Sequence, residues 1–147
     1  MNSDHQLILK FLAGNGTPLP VDSNPLAIDL GATLLEIDAQ AGTVALGFEP
    51  GERFLQGNGV IQGGIVTTML DFAIAFAALA KLPETQSAVT VSLNVHLVRP
   101  AAPGRYVARG TVQRMGGKLA FMEAQLQRAE RADVVASATA VMAVLST

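Results

Sequence analysis

The sequence predicts an α+β domain in which an antiparallel sheet of about six strands wraps around one long central helix. Residues 63–82 form a run that is apolar on every side of a helix, so the rest of the fold must cover it all round. Segments with strand character flank the run, two before it and four after it. Short links between the last four favour antiparallel neighbours. The 147 residues fit a single domain, which we predict to extend over residues 1–147.

Residues 1–24 are predicted to form a helix followed by a loop. Ser3 to Ala13 has amphipathic spacing, with Ser3 as the expected N-cap and Gln6 completing a capping box. The Gly-Asn-Gly segment at 14–16 ends this helix. Three prolines between Thr17 and Pro25 then favour a loop.

A strand hairpin is predicted next, over residues 32–38 and 43–48, with its turn at Ala41-Gly42. A helical turn at residues 25–30 can precede it. Residues 49–61 are rich in glycine and read as one long irregular segment. Loops of this length in compact domains are commonly functional, so we expect this segment to contribute to a site.

Four strands are predicted after the helix, over residues 89–97, 105–115, 119–128 and 134–145. The first of these alternates apolar and polar side chains, which indicates a half-buried strand. The alternation predicts one face made of Val89, Val91, Leu93, Val95 and Leu97, and an opposite face made of Thr90, Ser92, Asn94 and His96. On this pattern alone, Thr90 is expected on the solvated face.

Composition argues against several classes of partner. The net charge is −2 and the ten Lys and Arg are scattered, which does not favour a nucleic-acid surface. There are no cysteines, and the two histidines, His5 and His96, are far apart, so we expect no metal and no cofactor. The apolar run at 65–80 is short for a membrane span and has a charge at its centre. We therefore expect a cytoplasmic protein without nucleic-acid or membrane partners.

Asp71 is the only charge between Arg53 and Lys81, and it lies within the apolar helix. Burying an unpaired carboxylate is costly, and proteins mostly accept that cost where the group does chemistry. Gly63 and Gly64 open the same helix, whose first turn presents unpaired N–H groups and a partial positive charge. Such N–H groups can polarise a carbonyl oxygen.

The spacing between Asp71 and Gly63 points to a second subunit. Eight residues of helix place the carboxylate about 12 Å along the axis from the glycine turn. Asp71 therefore serves best opposite the helix N-terminus of another chain, with the substrate between them. A single sheet also covers the apolar helix only partly, which independently favours a dimer.

Gln62-Gly63-Gly64 followed by Met69-Leu70-Asp71 resembles the His-Gly-Gly…Leu-x-Asp signature of hotdog-fold thioesterases of the phenylacetate-degradation (PaaI-like) type. Residues 89–94 with Arg99-Pro100-Ala101 are similar to the next segment of that family, and residues 116–121 resemble its later hairpin. The similarity covers residues 25–145 in order. The layout of two strands, helix and four strands agrees with it.

The resemblance implies hydrolysis of acyl-coenzyme A thioesters at the interface of a dimer, with a dimer of dimers as a further option. Asp71 falls at the catalytic carboxylate, as general base or nucleophile, and the Gly63 N–H holds the thioester carbonyl. Thr90 falls where some members use a hydroxyl to place the water. Gln62 stands where His is usual, and Gln56 where many members carry Asn. A glutamine amide can hydrogen-bond the substrate but does not titrate near neutral pH.

The remaining expected substrate contacts are Gly64 and Asn58 beside the glycine turn, and Arg99 and Lys118 as partners for coenzyme A phosphates. Two other functions stay open: a non-catalytic acyl-thioester binding protein, favoured by Gln62, and a hotdog dehydratase or hydratase, which would need a histidine. Asp71 could also be a purely structural carboxylate. The identity of the acyl group, aryl or aliphatic, is left open.

Overall fold

The computed structural model describes residues 2–146, and in that range a single sheet wraps around one long helix, as predicted. The helices are α1 (Ser3–Ala13), α2 (Pro25–Asp29) and α3 (Gly63–Lys81). The strands are β1 (Leu19–Pro20), β2 (Thr33–Asp38), β3 (Thr43–Phe48), β4 (Gln86–Leu97), β5 (Tyr106–Met115), β6 (Leu119–Arg128) and β7 (Val134–Ser146).

The sheet has the order β1-β2-β3-β5-β6-β7-β4, and all its neighbouring strands are antiparallel. It contains seven strands, one more than the six that the sequence indicates. The additional strand is β1, which pairs Leu19 with Leu34 and Pro20 with Thr33. The prediction of a plain loop there is therefore wrong for two residues. Proline has no N–H to donate, so it suits this position at the edge of the sheet.

α3 fills the concave side of the sheet and packs against β3, β4, β5 and β6. Its length and composition alone would suit a membrane span, but nine of its residues are buried within the domain. Gly110 on β5 lies directly beneath it. A Cβ atom at Gly110 would lie 2.2 Å from the Ala73 carbonyl oxygen, so this glycine sets how closely helix and sheet approach.

The predicted N-cap of α1 is wrong by one residue. Asn2 is the cap, and its side-chain oxygen accepts hydrogen bonds from the N–H groups of Asp4 (2.8 Å) and His5 (3.4 Å). Asparagine and serine are comparable N-caps, so the preference scale does not separate them. The helix itself covers Ser3–Ala13, as predicted.

The predicted alternation along β4 is also wrong in its first half. Thr90 pairs with Met142 and Ser92 with Val141, so Val91 is an additional residue in β4, a β-bulge. The bulge places Thr90 on the side that faces α3, the same side as Leu93. Val91 itself is 63% exposed. An alternating sequence contains no mark of such a bulge, because the bulge arises in the pairing with β7.

Candidate active site

Asp71 is held by a side chain from the edge strand. The Thr90 hydroxyl donates a hydrogen bond of 2.8 Å to Asp71 Oδ1. Both side chains are half-buried, so the carboxylate lies at an accessible face of α3 and is not enclosed in the core. The hydrogen bond from Thr90 offsets part of the free-energy cost of removing this carboxylate from water. No donor in residues 2–146 is bonded to Oδ2, so this oxygen remains available for other contacts.

The two residues that lead into α3 are anchored on both sides. The Gln62 N–H donates to the Phe54 carbonyl (2.9 Å) and the Ile61 N–H donates to the Ala101 carbonyl (2.8 Å). Within residues 2–146, no acceptor is bonded to the N–H groups of Gly63 and Gly64. These two groups therefore remain available to bind a ligand oxygen at the positive end of the helix.

A cavity of about 410 Å³ lies beside this turn. It is bounded by the segment 56–61, the start of α3, and the end of β4 with the residues that follow. Its lining residues are Gln56, Asn58, Val60, Ile61, Gly63, Val66, Leu97, Val98, Arg99, Pro100 and Ala101. An apolar lining with a few placed polar groups is typical of a small-molecule site.

The polar groups at this cavity are held by local hydrogen bonds. Residues 56–60 form a tight turn, in which the Gln56 N–H donates to the Val60 carbonyl (2.8 Å). The Gln56 side-chain oxygen accepts a bond of 3.3 Å from the Asn58 N–H, which leaves the amide NH₂ of Gln56 for a ligand. Arg99 Nη1 donates to the Val134 carbonyl (2.8 Å), which fixes the guanidinium at the cavity. Its other N–H groups remain available to a ligand.

The predicted site residues fall into two groups within one chain. Gln56, Asn58, Gly63 and Arg99 line the cavity, whereas Asp71 and Thr90 do not. The separation along α3 between the Gly63 turn and the carboxylate is about 12 Å. Within one chain, the open N–H groups and the carboxylate therefore lie too far apart to contact the same ligand atom.

The other three predicted residues lie outside the lining of the cavity. Gln62 and Gly64 are exposed at the start of α3, and the Gln62 side chain makes no capping hydrogen bond. Lys118 is exposed in the turn between β5 and β6, beside Val144. The cavity is at the other end of β7, since Leu97 pairs with Ala136. Eight strand residues, about 27 Å, therefore separate Lys118 from the cavity of its own chain.

Two polar residues near the glycine turn were not among the predicted site residues. Thr67 and Thr68 lie between the glycine turn and Asp71 on the half-buried side of α3. Their hydroxyls donate to the carbonyl oxygens of Gly63 and Gly64, each at 2.9 Å. The sequence could have indicated them, because Thr67, Thr68 and Asp71 are the only polar side chains of α3 before Lys81.

His96 is exposed on β4 and lies on the face opposite to Leu97, away from α3. The side chain of Asp71 has Thr90 as its hydrogen-bond partner, and no histidine is bonded to it in the described residues. Among residues 2–146, no group of three or more His, Asp or Glu side chains is arranged to hold a metal ion.

A sheet wrapped around a helix that begins in two glycines and carries one carboxylate defines a hotdog domain of the thioesterase type. The model of the Thioesterase superfamily matches residues 58–135, which include the glycine turn, Asp71 and Thr90. This chain belongs to the thioesterase superfamily.

Several relatives agree with this assignment. A Pseudomonas aeruginosa protein with a provisional esterase name is 32% identical over 121 residues, which cover 81% of this chain and 87% of that protein. A phenylacetic acid degradation-related protein of Ralstonia eutropha JMP134, provisionally assigned as a thioesterase, is 29% identical. Its structure gives a TM-score of 0.80 and covers 92% of this chain and 98% of its own.

A Bacillus halodurans protein solved with CoA is 28% identical and has a TM-score of 0.65. The match covers 69% of this chain and 66% of that protein. The predicted resemblance to phenylacetate-degradation thioesterases is therefore confirmed, and family membership supports thioester hydrolysis in general terms.

Proposed function

We propose that the protein hydrolyses acyl-coenzyme A thioesters to a free acid and coenzyme A, at a site that two subunits share. The observation that carries the proposal is the hydrogen bond from Thr90 to Asp71 on the accessible face of α3. It holds a carboxylate ready for proton transfer in a helix that is otherwise apolar up to its last turn, apart from two threonines. The relative solved with CoA supports coenzyme A as the thiol.

The two groups of site residues support a shared site. β4 is an edge strand with β7 as its one partner in the described chain, and it exposes Val89 (49%) and Val91 (63%). Such an edge favours pairing with another chain. In the proposed dimer, a two-fold axis beside β4 and perpendicular to α3 reverses the direction of α3 in the second subunit. The glycine turn of one chain then approaches Asp71 of the other. We propose a cytoplasmic homodimer, with pairing of dimers into a tetramer as a further option.

In the proposed reaction, the oxygen of a water molecule attacks the thioester carbonyl carbon while Asp71 accepts the proton from that water. The carbonyl oxygen takes the electron pair and is stabilised by N–H groups at Gly63 of the partner subunit. The intermediate then expels coenzyme A by cleavage of the C–S bond. The proton on Asp71 passes to the departing sulfur. Thr90 donates to Asp71, and its oxygen lone pairs can accept a hydrogen bond from the water.

An alternative role for Asp71 is nucleophilic attack on the carbonyl carbon, which forms an acyl anhydride that water then opens. The two routes differ in the source of the oxygen in the product only when water attacks the Asp71 carboxyl carbon of the anhydride. In a single turnover in H₂¹⁸O, general-base catalysis places ¹⁸O in the released acid. Attack by water on the acyl carbon of the anhydride would do the same, whereas attack on the Asp71 carboxyl carbon would leave the label in the protein.

Gln62 and Gln56 differ from the residues usual in the family, His and Asn, and we propose that both differences affect how the substrate is bound. Gln56 lines the cavity and keeps an amide NH₂ for a carbonyl or phosphate oxygen. Gln62 is exposed in one chain, where it can reach a ligand that lies between subunits. A non-catalytic binding protein remains the second candidate, because Gln62 cannot supply a proton near neutral pH. The position of His96 on the opposite face does not favour a hydratase.

The test is the turnover of Asp71→Asn on a panel of aryl and aliphatic acyl-coenzyme A thioesters. We expect kcat to fall by about 10²-fold or more, because the amide cannot accept the proton. Asp22→Asn is the matched control, since Asp22 is exposed in the loop before α2. Full turnover by a folded Asp71→Asn protein would overturn the proposal. Tight binding by the wild-type protein without any turnover would favour the binding function.

A further inference from the structure

We propose that Thr67 and Thr68 are positioning residues that hold the Gly63–Gly64 turn of α3 in the geometry that binds the thioester carbonyl. This inference rests on the proposed hydrolysis at that turn. It assigns a role to two side chains that do not themselves contact the reacting atoms.

The Gly63–Gly64 turn needs additional hydrogen bonds because its own residues stabilise a helix only weakly. Glycine is the weakest helix former apart from proline, and two glycines occupy the first two helical positions. The residue in the N-cap position, Gln62, makes no side-chain capping hydrogen bond. A helix end of this kind frays unless another group holds it.

The two threonines provide that support. Thr67 Oγ1 donates to the Gly63 carbonyl and Thr68 Oγ1 donates to the Gly64 carbonyl, both at 2.9 Å. Each hydroxyl thus reaches back four residues to one of the two glycines. Threonine is restricted at χ1 in a helix and can form this contact without a flexible spacer. Both peptide units after the glycines are therefore tied to the second turn of the helix.

The bonds also polarise the open N–H groups. The Gly63 carbonyl shares a peptide unit with the Gly64 N–H, and it accepts from Thr67 Oγ1 in addition to the ordinary helical bond. The Gln62 carbonyl shares a peptide unit with the Gly63 N–H, and it accepts from Ile65 (2.9 Å) and Val66 (3.1 Å). Donation to a carbonyl strengthens the N–H of the same peptide as a donor.

Two consecutive peptide units therefore have doubly bonded carbonyls and open N–H groups. Two such N–H groups can act as an oxyanion hole, with the Gly63 N–H as one donor and the Gly64 N–H as a second. Gly64 is exposed, and a Cβ atom there would have no heavy atom within 4 Å apart from its chain neighbours and the backbone of its own helix, so the surface beside this residue is open.

The first experiment compares Thr67→Val and Thr68→Val with Thr67→Ser and Thr68→Ser. Valine keeps the branched shape and removes the hydroxyl, whereas serine restores the hydroxyl. We expect kcat to fall about tenfold in each valine variant, with KM changed less than about twofold, since the loss concerns a donor that strengthens in the transition state. The serine variants should recover most of the activity. Thr139→Val, exposed on the outer face of β7, is the control.

A purely structural role predicts a different pattern: a lower Tm in the valine variants with kcat unchanged. That pattern, in a protein whose Asp71→Asn variant is inactive, overturns the positioning role and leaves the proposed hydrolysis intact. Full turnover by Asp71→Asn would instead reject the proposed reaction.

A second measurement does not depend on activity. With ¹⁵N-labelled glycine, the amide resonances of Gly63 and Gly64 can be followed in each variant. We expect Thr67→Val to shift the Gly64 resonance upfield more than that of any other glycine, because the hydroxyl no longer polarises that peptide. An unchanged Gly64 resonance would contradict the inference.

Discussion

The hydroxyl of Thr90 donates a 2.8 Å hydrogen bond to the carboxylate of Asp71, and this contact joins the edge strand of the sheet to the central helix. It exists because the bulge at Val91 turns Thr90 towards α3. Without the bulge, a regular strand that keeps Leu93 inward would direct Thr90 outward. A local irregularity of pairing thus decides the surroundings of the candidate catalytic group.

The first prediction concerns this contact. Thr90→Val should lower kcat about tenfold, because the carboxylate loses its orienting donor and the water loses an acceptor. Thr90→Ser should retain most of the activity. Steady-state kinetics on the best thioester of the panel provide the measurement. Equal rates for the valine and serine variants would show that the hydroxyl has no role in turnover.

The second prediction tests the shared site. Asp71→Asn and Gly63→Val should each be inactive as homodimers, since each removes one half of both sites. Mixed after unfolding and refolding together, they should regain about a quarter of wild-type activity, because half of the dimers contain one intact site of two. Two differently tagged Asp71→Asn chains mixed in the same way provide the control. No recovery in mixed dimers isolated by their two tags would place each site within a single chain.

The third prediction concerns the packing of α3 on the sheet. Gly110→Ala should destabilise the fold by about 1–3 kcal/mol, the usual cost of overpacking, because the new Cβ would lie 2.2 Å from the Ala73 carbonyl oxygen. Gly117→Ala, in the hairpin turn with open space around it, is the matched control. Urea unfolding monitored by circular dichroism measures both. An unfolding midpoint for Gly110→Ala equal to that of the control would contradict the close approach.

The fourth prediction concerns stability at alkaline pH. Burial raises the pKa of the Tyr106 hydroxyl, while the Arg128 guanidinium opposes the shift and Glu130 adds to it. Its hydroxyl donates to the Ala102 carbonyl. Because the folded pKa lies above the unfolded value of about 10, the protonated form is favoured by folding. This contribution is fully present below about pH 10 and is lost as the pH rises through the folded pKa.

Tyr106→Phe should therefore be less stable than the wild-type protein at pH 8, and the difference should shrink above pH 10. Thermal unfolding over pH 8–11 measures it. A difference that stays constant across that range would exclude the titration of Tyr106 as its cause.

Much of the fold could be predicted because its elements depend on local pattern. β3 covers 43–48 and β6 covers 119–128, as the sequence indicates, and α3 ends one residue before the predicted boundary. Glycine and proline turns and a long apolar run determine these limits. The short strand β1 was not predicted because two residues are too few to show the alternation of apolar and polar side chains that indicates a strand. The cap at Asn2 was not predicted because neighbouring polar residues compete on nearly equal terms.

The sequence by itself determined that Asp71 is an isolated charge in an apolar helix that begins in two glycines. Helical spacing alone showed that these features lie too far apart to act on one atom within a chain. Only the tertiary structure decided that Thr90 contacts Asp71 and that a cavity forms beside Arg99. The bonds from Thr67 and Thr68 to the glycine turn are local to α3. Composition and periodicity describe which face of an element is apolar. Strand register, bulges and side-chain hydrogen bonds between different elements depend on the free energy of pairing with distant segments, which no local pattern records.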